Sequence, residues 1–235
     1  QRTIKNSVEY SGIGLHTGNE STMVIKPGAP NTGVRFVRTD LHPPVEIKVD
    51  VDHVVDTIRG TTIGIGEVQV HTVEHVLAAL AGLGIDNLII ELNANEPPVG
   101  DGSAMPFVEL LNRAEIVEQD APKNYLYVEK PIWFTSPNGS QIVALPDNDF
   151  KITCTVDYHH PVLKAQYGTF TINDGVFEQE IAPSRTFCFN HEVEMLRSQG
   201  LIRGGSLENA VVIGEDKILN EQPLRFEDEF VRHKI

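Results

Sequence analysis

The chain of 235 residues carries 19 basic against 33 acidic side chains, a net charge of −14 with histidines neutral, and 40% of it is hydrophobic, as in packed globular proteins. This balance excludes a disordered tail, and it argues against nucleic acid as a partner, because phosphate binding needs clustered Lys and Arg and no run of four basic residues occurs. The longest uncharged apolar stretch, Val76 to Ile85, falls short of the roughly 18 to 20 residues that cross a bilayer. With no signal peptide and only Cys154 and Cys188 as thiols, a cytoplasmic protein without disulfides or a transmembrane segment is expected.

The first seventy residues read as strands and turns, with β-like runs at Thr22 to Lys26 and Gly33 to Arg38. Thr72 is the expected cap of a helix whose apolar face is Val73, Val76, Leu77, Leu80 and Leu83, stopped by Gly82 and Gly84. A strand is expected at Leu88 to Leu92. Asp101-Gly102-Ser103 then predicts a turn, with Ser103 capping a second helix that has Pro106 in its first turn and buries Phe107, Leu110 and Leu111. The polar run Glu118 to Lys123 lacks apolar periodicity and reads as a linker, dividing the chain into domains at 1–119 and 124–235.

Beyond the linker, strands are expected at Tyr125 to Phe134, Gln141 to Leu145, Lys151 to Asp157 and Gly168 to Ile172, with Ile152, Cys154 and Val156 on one face. A helix is expected over His191 to Gln199, stopped by Gly200, then a strand over Ala210 to Ile213 and a last helix over Arg225 to Ile235. Both halves run strands first and helices afterwards, which predicts an α+β fold of two similar domains, each a sheet layered with helices.

Three segments hold residue types suited to chemistry. His71-Thr72-Val73-Glu74-His75 matches H-x-x-E-H, the inverted zinc-protease signature, in which both histidines bind metal and the glutamate is the base. Yet His71 precedes the helix cap, where i, i+4 geometry is not guaranteed, so the alternative uses Glu74 and His75 alone, or a histidine satisfied by a backbone carbonyl. In the last helix Phe226, Phe230 and His233 share a face, which leaves His233 facing either a metal or a buried hydrogen-bond partner, with Lys234 beside it as an anion contact or a solvated lysine. In Ser184-Arg185-Thr186-Phe187-Cys188-Phe189, Thr186 is either a cap or strand residue, or a donor to an oxyanion, while the flanking phenylalanines make Cys188 a poor nucleophile. The glycines around Leu15-His16-Thr17 fit neither nucleotide-loop pattern and read as turns.

Six blocks together resemble the UDP-3-O-acyl-N-acetylglucosamine deacetylase family of lipid A synthesis. They are Ser11 to Gly18, Thr72 to His75, Ala81 to Asn87, Asp101 to Ala104, Ser184 to Phe187 and Leu224 to Lys234, in order along essentially the whole chain. The resemblance implies a zinc amidase that removes acetate from the 2-amino group of a UDP-linked acylated sugar, with the metal between two packed domains. It implies Glu74 as general base, His75 and His233 as zinc ligands, Thr186 assisting the oxyanion, and Phe187 and Lys234 lining the substrate site. The family pattern gives His71 no role. It continues past Lys234 with an aspartate ligand and a later histidine acid, so the third zinc ligand is expected beyond Ile235, and these 235 residues by themselves are expected to hold zinc weakly. Long acyl chains require an apolar tunnel, whose wall is expected at Leu201 to Leu219. The protein is expected to be a monomer; the competing readings are an inverted zinc protease using His71, Glu74 and His75, and a catalytically dead binding fragment.

Overall fold

The computed structural model describes all 235 residues and is α+β. Its largest sheet has five strands in the order Val8–Ile13, Glu20–Pro27, Leu88–Leu92, Val34–Arg38, Val45–Lys48. All neighbours are antiparallel except Val34–Arg38, which runs parallel to Leu88–Leu92 with Val34 opposite Leu88. Along Glu20–Pro27 the residues Ser21, Met23 and Ile25 are buried in alternation, the period-2 pattern that commits one face of a strand to a core.

That face is covered by two helices, Glu74–Gly82 and Met105–Arg113, which turn Val76, Ala79 and Leu80, and Phe107, Val108, Leu110 and Leu111, inward. The antiparallel pair Arg2–Ile4 with Ile116–Glu118 ties the start of this part of the chain to its end.

Residues 124–235 hold six strands in three pairs. They contain the antiparallel hairpins Ile132–Thr135 with Gln141–Ala144 and Lys151–Val156 with Gln166–Thr171, and the parallel pair Phe187–Phe189 with Val211–Ile213. The helices Asn190–Ser198 and Glu229–Lys234 complete the set. A small cluster of Leu163, Val211, Ile213 and Phe230 forms the local core, while Phe177, Ile181 and Ala182 join the main core instead. Phe177 packs flat on Gly82, where any Cβ would run into its ring. No helix is long and apolar enough to cross a membrane.

Four expected boundaries are corrected. Thr72 does not cap the first helix: its φ is +54° and its hydroxyl donates 2.6 Å to Glu96, so the helix opens at Glu74 without a side-chain cap. The strand expected from Tyr125 begins only at Ile132, because Pro131 has no N–H to give to a ladder. The last helix begins at Glu229 rather than Arg225, because the Glu229 carboxylate takes the Arg225 backbone N–H at 2.7 Å and holds 225–228 in a turn. Ser103 likewise is not the cap of the second helix: Ala104 holds that position without a side-chain bond, and the Ser103 hydroxyl one residue earlier accepts from the Met105 N–H at 3.2 Å.

Candidate metal centre

Two histidines from opposite ends of the chain meet. His75 comes from the first turn of Glu74–Gly82 and His233 from the last turn of Glu229–Lys234; their rings stand edge to face with centroids 5.4 Å apart. His233 Nδ1 lies 3.1 Å from the carbonyl oxygen of Ser184, so that nitrogen carries the proton and donates, leaving Nε2 with a free lone pair. His75 is buried and its ring makes no hydrogen bond within the protein. Burial pushes both imidazoles toward the neutral form, His233 down to about 3, with the neighbouring His75 adding to the effect. Two neutral, converging imidazoles, one already oriented through its other nitrogen, are the donor chemistry of a zinc site and fit two of its positions. No group of three or more His, Cys, Asp or Glu side chains in these residues is placed to hold a metal ion.

The other expected residues lie around this pair. Glu74 accepts the Thr61 backbone N–H at Oε2, 2.9 Å, and its charge reaches both His75 and Lys234. Phe187 stands 6.2 Å from His233 between ring centroids and 4.9 Å from Phe230. The Lys234 ammonium sits 5.3 Å above the Phe187 ring, and burial lowers its pKa from the ordinary lysine value. Thr186 is fixed by its backbone, donating 2.7 Å to Gly102 and accepting 2.8 Å from Val211, while its side-chain hydroxyl has no partner in the protein. Thr186 directly precedes the Phe187–Phe189 strand; the helix follows only at Asn190.

His71 stays apart from this group. Its Nδ1 is 3.1 Å from Thr62 Oγ1, and the left-handed Thr72 between it and the helix breaks the i, i+4 register that an inverted zinc-protease motif needs.

Thr186 and the start of the Phe187–Phe189 strand open onto a largely apolar cavity of about 360 Å³. Leu207, Ala210, Val212 and Leu219 form one wall, within the 201–219 segment expected to do so, and Val193 and Leu196 of Asn190–Ser198 form another. Leu15, His16 and Arg59 close the remaining side. Arg59 makes a two-pronged ion pair with Glu192, 2.6 and 3.2 Å, which straps the first part of the chain to Asn190–Ser198 across the cavity.

Sequence reasoning missed the supports beneath these groups. Glu229, wholly buried, accepts from the Arg185 backbone N–H at 2.9 Å and from its guanidinium at 2.8 and 3.1 Å. This one ion pair joins the helix bearing His233 to the Ser184-Arg185-Thr186 segment. Arg225 spans outward to Asp101 at 2.6 Å and to the Pro183 carbonyl at 2.7 Å. The only sequence signal for either was charge in a segment otherwise turned to the core.

The sequence model of the family described as LpxC, UDP-3-O-acyl N-acetylglycosamine deacetylase, matches residues 1–235. The bifunctional enzyme LpxC/FabZ of Chlorobaculum tepidum is 48% identical, covering all of this chain and 56% of the relative. The UDP-3-O-acyl-N-acetylglucosamine deacetylases of Myxococcus xanthus and Actinobacillus succinogenes are each 47% identical, again over the whole chain, which spans 74% and 78% of their lengths. With matches of that extent across every element that builds the site, the chain belongs to the LpxC family of UDP-3-O-acyl N-acetylglycosamine deacetylases.

Proposed function

We propose that these residues form the greater part of a zinc-dependent amide hydrolase that releases acetate from the 2-amino group of UDP-3-O-acyl-N-acetylglucosamine, in lipid A synthesis. The observation that carries the reading is the meeting of His75 and His233 beside Phe187, which itself lines an apolar cavity suited to an acyl chain. His75 and His233 hold the zinc, and a third ligand comes from outside these residues, since a catalytic site uses three protein groups. When bound, zinc supplies Lewis-acid polarisation of the amide carbonyl and acidifies water toward a pKa of about 7.

The chain's own groups do the rest. Glu74, steadied by the Thr61 N–H, takes the proton of the attacking water. The Thr186 hydroxyl, uncommitted within the protein and on a backbone fixed at both sides, donates to the oxyanion as the carbonyl carbon becomes tetrahedral. Lys234 brings a positive charge, and Phe187 packs against the substrate between the reacting centre and the cavity. The acyl chain lies along Leu207, Ala210, Val212 and Leu219.

Residues 1–119 and 124–235 are read as two domains with the zinc between them. The separate cluster of Leu163, Val211, Ile213 and Phe230 supports this division, while Phe177, Ile181 and Ala182 pack the second part of the chain onto the main core. Both cysteines are free thiols, in keeping with a reducing cytoplasm.

The test is acetate release by the full-length zinc-loaded protein from UDP-N-acetylglucosamine bearing a long or a short 3-O-acyl chain. Turnover should vanish with chelation, return with zinc and favour the long chain. Chelator-resistant turnover, or none on either substrate, would refute the reading.

A further inference from the structure

Glu96 is wholly buried, yet no Lys, Arg or His side chain bonds it. Four uncharged donors fill its oxygens instead. The His16 N–H bridges both, at 3.0 and 3.1 Å; the Thr17 N–H and hydroxyl each lie 2.8 Å from Oε2; the Thr72 hydroxyl lies 2.6 Å from Oε1. Burying a carboxylate is costly unless its hydrogen bonds are made, so this geometry commits the surrounding backbone to one arrangement.

The two sides of that arrangement lead to different parts of the site. Thr72 is the left-handed residue from which the helix of Glu74 and His75 departs two residues on. On the other side, the loop that Glu96 grips holds the cavity wall. The His16 carbonyl accepts from Arg203 N–H at 3.2 Å, the Leu15 carbonyl accepts from Gly204 N–H at 3.1 Å, and His16 Nδ1 lies 3.4 Å from Ile202 N. His16 Nε2 also meets the Arg59 carbonyl at 3.3 Å. Leu15, His16, Arg59 and Ile202 all line the cavity. Gly14 makes the grip possible, because a Cβ there would run into the Glu96 carboxylate.

We propose that Glu96 is a positioning residue that joins the helix bearing Glu74 and His75 to the wall of the apolar cavity, so that the reacting centre and the acyl chain's path are held in one register. The proposal rests on the deacetylase reading above and extends it to a residue that touches neither substrate nor metal.

Glu96→Gln keeps the size of the side chain but removes its charge and puts an NH2 where an oxygen accepted, so that the His16 N–H loses one of its two acceptors and a threonine hydroxyl must reverse to accept. In the full-length zinc-loaded protein it should lower kcat about tenfold or more, the weight of one charge-assisted hydrogen bond, and raise KM for a long-chain substrate. The preference for long over short chains, as a ratio of kcat/KM, should shrink toward one. Gly14→Ala, which displaces the same carboxylate from the other side, should reproduce the pattern. Thr72→Val should lower kcat with KM unchanged, and Thr72→Ser, which keeps the hydroxyl, should restore it.

Hydrogen exchange supplies a readout independent of turnover: in Glu96→Gln the amides of His16, Thr17, Arg203 and Gly204 should exchange faster, while those of Leu88–Leu92 remain as in the parent. If Glu96→Gln does not fold, the Thr72 pair and Gly14→Ala carry the same test. A lowered melting temperature with unchanged kcat, KM and chain preference per folded molecule would overturn the proposal, as would unchanged protection of those four amides. A parent protein with no deacetylase activity would instead refute the reading on which it rests.

Discussion

The imidazoles of His75 and His233 stand edge to face with ring centroids 5.4 Å apart, although one lies in the first third of the chain and the other at its last helix. Replacing either by Ala should abolish stoichiometric zinc in the full-length protein, because each removes one of the two proposed ligands and no other group is placed to complete the site. His71→Ala should leave zinc content unchanged, since His71 is engaged with Thr62. Metal analysis of the three purified variants checks this, and equal losses in all three would revive the protease-like arrangement.

Glu74 is held by a backbone N–H and serves, in the proposed reaction, only to move a proton. Glu74→Ala should cut kcat at least the roughly 10²-fold typical of losing a general base, with zinc near one equivalent. Loss of the metal along with the activity would mean that Glu74 is a ligand.

The Arg185–Glu229 pair is 4% and 0% exposed, and Arg185 also reaches the Pro223 carbonyl at 3.0 Å. Glu229→Gln leaves a buried guanidinium without its counter-charge, which should cost about 3 kcal/mol in denaturant unfolding. Zinc affinity should fall with it, because the same carboxylate fixes the start of the helix that aims His233. A cost below about 1 kcal/mol would mean that the two segments are held by packing alone.

Glu192 has its pKa lowered, first by the hydrogen bond from Arg59 and then by that guanidinium's charge against an opposing burial effect. A carboxyl whose native pKa is depressed contributes stability that is fully present above its unfolded value of about 4.3 and is lost as pH falls through the native value. Glu192→Gln should therefore melt below the parent at pH 7, and the gap should narrow as the carboxyl is protonated in increasingly acidic solution. A gap that persists in acid would assign the difference to packing on Asn190–Ser198 rather than to the strap across the cavity.

Local chemistry made much of the plan legible in the sequence. The strand Leu88–Leu92 and the helix Asn190–Ser198 lie within a residue of where apolar periodicity and Gly200 predict them, because burial pattern and stop signal act over a few residues. Read singly, the segments Thr72 to His75, Ser184 to Phe187 and Leu224 to Lys234 left their roles open; it was the resemblance of the six blocks together to the deacetylase family that nominated Glu74, His75, Thr186, Phe187, His233 and Lys234. Periodicity had no access to long-range partners. Thr72 has the composition of a helix cap, but Glu96, distant in sequence, captures its hydroxyl and turns its backbone left-handed. The last helix has the right period from Arg225, yet Glu229 spends its carboxylate on Arg225 and Arg185 and delays the first turn. Sequence alone therefore nominated the residues for the proposed chemistry, because their types in that order along the chain carry the family resemblance. Only the tertiary structure decided which of them meet, because a buried carboxylate must be satisfied by whatever donors the fold brings to it, and in satisfying Glu96 and Glu229 the chain sets the positions of the helix ends that carry His75 and His233.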